Sequence, residues 1–244
     1  MAVRTGKGFT MLKVFIGYDP REVVAWHVLA HSILRRSSVP VEIIPLVRHQ
    51  LRSVGFNREK DKKSSTDFSD TRFLVPFLCD FSGWAIFMDC DQLMLIDIVE
   101  LWQQRDDKYA VMVRKHNHVP VEQTKFLGTE QTKYTKKNWS SLMLMNCSEC
   151  STLTPETVNR LSGLELHQFK WLAGDHLIGE LDQGWNHLVG YDAPNPLAKH
   201  VHFTIGGPYY KEYSRCEFSS EWFSEYQQMT YAAQLDVPLV NTGR

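Results

Sequence analysis

The segment Ile86-Phe87-Met88-Asp89-Cys90-Asp91 decides the fold of this chain, because it joins a buried strand to two carboxylates. The apolar run 84–88 is typical of a central strand in a parallel sheet, and such sheets bind ligands at the carboxyl ends of their strands. Asp89 and Asp91 lie at that end. Two carboxylates so close together repel each other unless a cation or a proton lies between them, so the pair indicates a divalent metal site. An aspartate after a strand is also typical of an ordinary turn, and the pair alone leaves both interpretations open.

The composition indicates one globular unit. The chain has 244 residues, of which 43% are hydrophobic and 12% aromatic, enough to bury one substantial core. We expect a single domain over residues 11–244, preceded by a leader or unstructured extension over residues 1–10. The formal net charge of -1 excludes the strong basic excess that is expected of a nucleic-acid-binding protein.

The cysteines and the apolar runs predict a cytoplasmic protein. Four of the five cysteines lie in or beside apolar runs or helical patterns, as reduced structural thiols do. Cys147 and Cys150 form a Cys-x-x-Cys pair, but no second pair at zinc-ligand spacing accompanies it, so we interpret them as structural. No apolar run is long enough for a transmembrane segment, and the first ten residues lack a signal-peptide pattern. An aromatic helix predicted over 217–233 is interpreted as core, with a homodimer face or peripheral membrane contact as the alternatives.

The hydrophobic pattern alternates between strands and helices, which predicts an α/β fold. Strand, helix and strand over 12–17, 21–36 and 41–47 form one βαβ unit, so we expect a mostly parallel central sheet flanked by helices. Further strands are predicted over 84–88, 109–113, 141–146 and 201–203, further helices over 69–81, 97–104 and 217–233, and weaker helices between 155 and 181. Residues 48–67 and 114–138 are predicted loops, and the second is long enough to be a binding loop.

The order of several motifs resembles the GT-A glycosyltransferases, and most closely the retaining enzymes of family 8, such as glycogenin and the bacterial lipopolysaccharide galactosyl- and glucosyltransferases. The matching motifs are Arg72 on a predicted helix, Asp89-Cys90-Asp91, the helix from Asp97, the segment 139–146, Gly174-Asp175-His176, Trp185-Asn186 and the segment 202–209. They cover roughly residues 12 to 210. The resemblance implies a GT-A nucleotide-diphospho-sugar transferase fold. It also implies transfer, with retention, from a nucleotide sugar, with a UDP-sugar expected, to a hydroxyl of a glycan, a lipid-linked sugar or a protein.

The resemblance implies three metal ligands, namely Asp89, Asp91 and His202. Two carboxylates and an imidazole, completed by phosphate oxygens, suit Mn²⁺ or Mg²⁺ better than a structural zinc ion. Such an ion would stabilise the negative charge that develops on the leaving nucleoside diphosphate. A histidine on a strand is more often part of a core, but the Gly-Gly-Pro turn after His202 favours the ligand interpretation.

The resemblance also implies the residues that contact the donor. Tyr18 would stack on the base and Asp19 would accept its hydrogen bonds, although Asp-Pro after a strand is also an ordinary turn. Arg72 would bind a phosphate or a sugar hydroxyl. Asp175 would position the donor sugar, and His176 would contact either substrate. Because no carboxylate is clearly placed as a nucleophile, front-face attack assisted by the leaving phosphate is our hypothesis for retention.

The remaining donor contacts are expected from Cys90 within the Asp-x-Asp motif, Gly207 and Lys211. The family places a Lys-Pro-Trp element near the diphosphate, whereas this chain has Gly207-Pro208-Tyr209, so Lys211 is the candidate that replaces the missing lysine. Trp139-Ser140-Ser141 likewise stands where the family has Asn-Ala-Gly. The donor sugar and the acceptor therefore cannot be copied from a relative.

Two other interpretations remain open. A glycosyltransferase-like protein that binds a nucleotide sugar or a glycan without turnover is compatible with both departures. A haloacid-dehalogenase-type phosphatase also places Asp-x-Asp after an apolar strand and binds Mg²⁺, but it requires a small Thr or Ser where this chain has Leu93. A nucleotidyltransferase is disfavoured because Gly17 is the single glycine of the first loop.

Overall fold

A six-stranded sheet lies at the centre of the computed structural model, which describes residues 11–61, 64–117 and 135–231. Within these ranges the strands are β1 Leu12–Gly17, β2 Val41–Leu46, β3 Trp84–Met88, β4 Gln92–Met94, β5 Val111–Val113, β6 Leu142–Asn146, β7 Ile178–Glu180, β8 His187–Leu188 and β9 His200–His202. The central sheet has the order β2-β1-β3-β6-β5-β7. Of these six described strands, only β6 runs antiparallel to its neighbours. The predicted α/β class with a mostly parallel sheet is confirmed.

Six α-helices surround the sheets in the described part of the chain. They are α1 Val23–Arg36, α2 Val75–Leu78, α3 Val99–Trp102, α4 Pro155–Arg160, α5 Gly163–His167 and α6 Ser219–Met229. Local sequence explains several of their starts. Thr154 caps α4 through the N–H of Thr157, with Pro155 in the first helical position, and Ser162 with Glu165 forms a capping box on α5. Short 3₁₀ helices occupy Arg48–Val54, Thr71–Leu74, Trp139–Ser141, Cys147–Cys150, Asp175–Leu177 and Lys211–Tyr213.

A second, three-stranded sheet of order β4-β9-β8 follows directly from the Asp-x-Asp segment. It packs on α1 and α6 through a small apolar core of Val28, Leu93, Val201, Phe203 and Trp222. Strands β4 and β9 are antiparallel, and Gln92 pairs with His202. This pairing brings a residue from the carboxy-terminal part of the chain beside Asp91.

The structure differs from the predicted elements in three places. The helix predicted over 69–81 is a 3₁₀ helix followed by the short α2, because Pro76 lacks an N–H and Asp80 and Phe81 adopt left-handed backbone angles. The segment predicted as weakly helical near 178–181 contains strand β7. The predicted loop 48–67 contains a 3₁₀ helix and the fully buried Phe56.

Some predictions fall outside the described residues. These are the leader over 1–10, most of the binding loop over 114–138, and the end of the helix predicted over 217–233, which the structure describes as helical only to Met229. No helix in the described ranges is both long and apolar enough to cross a membrane. All five cysteines are unpaired thiols, and four of them are buried.

Candidate metal and donor site

The candidate site forms where the ends of β1, β3 and β9 meet. Strands β1 and β3 are parallel neighbours, and Ile16 pairs with Met88, so the turn after β1 lies beside Asp89. On the other side, the N–H of Phe203 donates to the carbonyl of Asp91 at 2.9 Å. The two strand pairings therefore bring Asp89, Asp91 and His202 to the carboxyl edge of the parallel strands, where α/β sheets bind ligands.

Asp89, Asp91 and His202 form the candidate metal-binding group of the described residues. One ligand atom from each lies within 4.8 Å of the others, and His202 Nε2 is 3.4 Å from Asp91 Oδ1. Asp91 Oδ1 and His202 Nδ1 are buried, and neither forms a hydrogen bond within the described ranges. Buried polar atoms normally have a partner, and two carboxylates with one imidazole are a donor set that suits a divalent cation. The residues present therefore fit a metal ion.

Arg72 holds one of these carboxylates. Its Nη1 is 2.7 Å from Asp89 Oδ1 and also donates to the Ser140 carbonyl at 2.9 Å. The guanidinium lies between two aromatic rings, 4.9 Å from the centroid of Phe87 and 5.4 Å from that of Phe68. Arg72 is thus buried and forms an ion pair with Asp89. In this structure it orients a candidate metal ligand.

Main-chain carbonyls at the start of β6 support the Asp-x-Asp segment. The Ser141 carbonyl accepts from the N–H of Asp89 at 2.9 Å and from Gln92 Nε2 at 3.0 Å. The buried Asn186 donates to Ser141 Oγ at 3.0 Å and to the Asn138 carbonyl at 3.2 Å. A buried polar network therefore joins the Trp-Ser-Ser and Trp-Asn motifs to the candidate metal group.

Tyr18 and Asp19 follow β1, as the sequence requires, but they have different environments. Tyr18 is partly exposed and lines a cavity of about 410 Å³ with Val47, Phe56 and the cationic Arg48 and Lys60. Asp19, the next residue in the turn, is fully buried. Both of its oxygens accept from the Arg21 side chain, at 2.9 and 2.6 Å, and it also accepts from the N–H groups of Arg21 and Asp67.

These hydrogen bonds decide the ionisation of Asp19. Burial raises its pKa, but the hydrogen bonds from Arg21 and from the Asp67 N–H outweigh burial and hold the pKa below its usual value. Asp19 is therefore an ionised anchor for the turn after β1. Its oxygens already have donors within the protein.

Glu22 is a buried acid near the site that the sequence does not single out. Its carboxylate accepts from the Tyr209 hydroxyl at 2.6 Å, whereas its Oε2 is buried without a hydrogen bond in the described part of the chain. Burial and, to a smaller extent, the negative charge of Asp91 raise the pKa of Glu22, the Tyr209 hydrogen bond lowers it, and the net result is a pKa of about 8. A glutamate at the start of a helix is usually exposed and interacts favourably with the helix dipole. The sequence therefore does not indicate that Glu22 is buried beside the candidate site.

The three other predicted donor contacts are scattered around this centre. The Cys90 side chain is fully buried, and burial together with the nearby carboxylates raises the pKa of its thiol well above the usual value. Gly207 is buried in the turn after β9, and Lys211 is exposed on the 3₁₀ helix that follows. Gly207 lies against the Tyr209 ring, and Lys211 is exposed to solvent.

Asp175 and His176 lie on an exposed 3₁₀ helix before β7. The Asp175 side chain is 73% exposed, and its Oδ1 accepts from Lys136 Nζ at 2.6 Å. This hydrogen bond and the nearby charges of Lys115 and Lys170 lower the pKa of Asp175. Lys115 and Lys136 both approach the ring of Trp139, each with its Nζ 5.9 Å from the centroid. Trp139 in turn adjoins the Ser140 carbonyl that Arg72 contacts.

Comparison with known proteins gives one curated relative and several similar solved structures. No protein-family model matches the chain. Protein CDI of Arabidopsis thaliana is 46% identical over 224 residues, which cover 88% of this chain and 86% of the relative.

Two of the similar solved structures are glycosyltransferases. The WbbM bifunctional glycosyltransferase in its apo form has a TM-score of 0.63 at 12% identity, covering 89% of this chain and 50% of its own, so this chain spans half its length. The galactosyltransferase LgtC, solved with donor and acceptor sugar analogues, has a TM-score of 0.53 at 10% identity, covering 91% of this chain and 98% of its own. Identities this low establish the fold alone. The chain therefore belongs to the family of Protein CDI and has the GT-A glycosyltransferase fold.

Proposed function

We propose that this protein is a metal-dependent glycosyltransferase that moves a sugar from a nucleotide-diphosphate sugar to a hydroxyl acceptor. The observation that carries the proposal is the group of Asp89, Asp91 and His202 at the carboxyl edge of the sheet in a GT-A fold, with Asp91 and His202 buried and Asp89 partly exposed. The narrower assignment to retaining family 8, made from the motifs, is part of the proposal.

The candidate ligands favour Mn²⁺ or Mg²⁺ as the cofactor. Bound there, a divalent ion neutralises the negative charge of the diphosphate leaving group. The protein supplies the rest: Arg72 holds Asp89 in place, and the Phe203 N–H holds the backbone of Asp91. Both carboxylates are therefore set in position before any ligand arrives, which lowers the ordering cost of binding.

The nucleoside is proposed to occupy the cavity beside Tyr18. Its volume of about 410 Å³ lies within the range of small-molecule sites. Tyr18 offers aromatic surface for the base, while Arg48 and Lys60 add positive charge on the cavity wall. Uracil is the base that the family resemblance favours. The oxygens of the Asp19 side chain already accept hydrogen bonds from Arg21. Backbone groups of this turn are therefore the proposed donors and acceptors for the base.

Asp175 and His176 are proposed to face the donor sugar or the acceptor. Asp175 is ionised and held by Lys136, so it can accept hydrogen bonds from sugar hydroxyls. An exposed carboxylate already paired to an ammonium group is a weak nucleophile, which favours front-face attack over a covalent intermediate. Trapping a covalent sugar adduct on Asp175 would contradict this route. The acceptor is proposed to be a glycan, a lipid-linked sugar or a protein, and the unpaired cysteines favour a reducing compartment.

Nucleotide binding tests the proposal most directly. We expect UDP to raise the melting temperature in the presence of Mn²⁺ and to do so much less in its absence. Asp91→Ala should abolish the Mn²⁺-dependent part. Asp182→Ala is the matched control, because Asp182 is exposed and contacts Gln104 away from the site. An Asp91→Ala protein that kept the Mn²⁺-dependent shift would show that the ion binds elsewhere.

Turnover separates an enzyme from a binding protein. Release of UDP from a panel of UDP-sugars that requires Mn²⁺ and is lost in Asp91→Ala would establish transfer or hydrolysis. A UDP shift without any turnover across the panel, with acceptor sugars present, would favour the binding protein instead.

A further inference from the structure

A hydrogen bond between Glu22 and Tyr209 ties the two ends of the donor site together. Glu22 precedes helix α1 and is 1% exposed, and it accepts from the Tyr209 hydroxyl at 2.6 Å. The two residues are 187 positions apart in the chain, so the bond connects the turn after β1 with the turn after β9. Those are the turns that carry Tyr18 on one side and Gly207 on the other.

The turn after β9 is shaped to make this contact. At its start, the Phe203 N–H donates to the Asp91 carbonyl. At its end, the Tyr209 ring lies so close to Gly207 that a Cβ atom there would be 2.1 Å from it. Only glycine at position 207 leaves room for Tyr209 to reach Glu22. The turn is thus fixed at one end to a candidate metal ligand and at the other end to helix α1.

Aromatic packing holds the Tyr209 ring independently of its hydroxyl. The ring centroid is 4.7 Å from that of Tyr210 and 5.4 Å from that of the buried Trp222. Packing therefore sets the position of the Tyr209 ring, and the hydrogen bond from its hydroxyl to Glu22 fixes the orientation of the ring. A buried carboxyl group with one oxygen left without a hydrogen bond is unfavourable for stability, and such groups are concentrated at functional sites.

We propose that Glu22 and Tyr209 are a positioning pair, which holds the turn Gly206-Gly207-Pro208 against the metal-binding strand end so that it can receive the donor diphosphate. The inference rests on the proposed function, because it assigns this turn to the diphosphate. It also explains how the chain manages without the lysine of the Lys-Pro-Trp element. Pro208 has no N–H and the Gly206 N–H donates to the Phe203 carbonyl at 2.9 Å, so the Gly207 N–H is the main-chain donor proposed for a phosphate oxygen in place of a cationic side chain.

Tyr209→Phe isolates the hydroxyl because it keeps the ring. We expect the dissociation constant for UDP in the presence of Mn²⁺ to rise about fivefold, the factor that loss of an ordinary hydrogen bond between neutral groups gives. The affinity for Mn²⁺ alone, titrated by electron paramagnetic resonance, should stay within about twofold, since the three ligands are intact. Tyr226→Phe is the matched control, because Tyr226 stacks on the same Trp222 ring at 5.7 Å. It should leave both constants unchanged.

Variants of Glu22 complete the experiment. Glu22→Gln keeps an oxygen that can accept from Tyr209, so it should weaken UDP binding by about twofold only. Glu22→Ala should match Tyr209→Phe, and the double variant should be no worse than either single one, because all three remove the same bond.

The outcomes separate this inference from the proposed function. If the wild-type protein shows no Mn²⁺-dependent UDP binding, the proposed function fails and the inference with it. If the wild type binds but Tyr209→Phe only lowers the melting temperature and leaves the UDP constant within twofold, the pair is merely structural and the inference alone is wrong. Additive losses in the double variant would overturn it as well.

Discussion

Replacing the buried Arg72 by methionine should destabilise the protein more than the same change at an exposed arginine. The Arg72 side chain is 5% exposed and its partner Asp89 13%, so water screens their 2.7 Å ion pair little. Removing one partner of a buried pair leaves the other charge uncompensated, which costs about 3–5 kcal/mol. Methionine fills much of the space between Phe68 and Phe87, so lost packing adds little.

Urea unfolding of the metal-free protein, followed by tryptophan fluorescence, measures this loss. Arg52→Met is the control, because the Arg52 side chain is 70% exposed and its partner Glu59 91%, so the change should cost below about 1 kcal/mol. A double-mutant cycle identifies the cause. Asp89→Asn should destabilise the wild type but be neutral or stabilising in the Arg72→Met background, because the amide removes the unpaired charge. Equal effects of Asp89→Asn in both backgrounds, or equal costs for the two arginine variants, would refute the argument.

Two further substitutions and one reactivity measurement test other parts of the structure. Glu225 of α6 is buried and contacts two arginines of α1, so Glu225→Gln should lower the unfolding free energy by about 2 kcal/mol in urea titrations. Burial raises its pKa, but those arginines hold it below 4.5, so this contribution is present above about pH 4.5 and should be lost as the pH falls further. Gly17→Ala should lower the melting temperature, because its Cβ would lie 2.3 Å from the Phe68 ring. Among the cysteines, Cys216 alone should react with Ellman's reagent in the native state, and slowly, since burial raises its pKa to about 11.

The sequence predicts the strands that have a long apolar run and two short ones, β5 and β9, but misses the short β4, β7 and β8. Strands β1, β2, β3 and β6 have five or six residues each, and their patterns indicate them directly. Strands β4, β7 and β8 have two or three residues, too few for any periodicity to show. Their pairing depends on partners distant in the chain, as Gln92 depends on His202. Such strands exist because a neighbouring strand completes their hydrogen bonds.

The candidate metal group was predictable, whereas the residues that support it were not. Asp89 and Asp91 lie together in sequence, and the turn after His202 gave a second signal. The bidentate ion pair of Arg21 with Asp19 depends on the backbone path of one turn, and no pattern of residue types predicts it. Glu22 likewise becomes visible only when folding places it beside Tyr209.

The reversed direction of β6 determines which parts of it are open to change. Because β6 begins where its neighbours finish, residues Ser140 and Ser141 meet Arg72, Asp89 and Gln92, and they do so through peptide oxygens. Every amino acid carries that oxygen. Evolution can therefore exchange the side chains at these two positions, and with them the wall of the cleft, while the acidic pair keeps its scaffold.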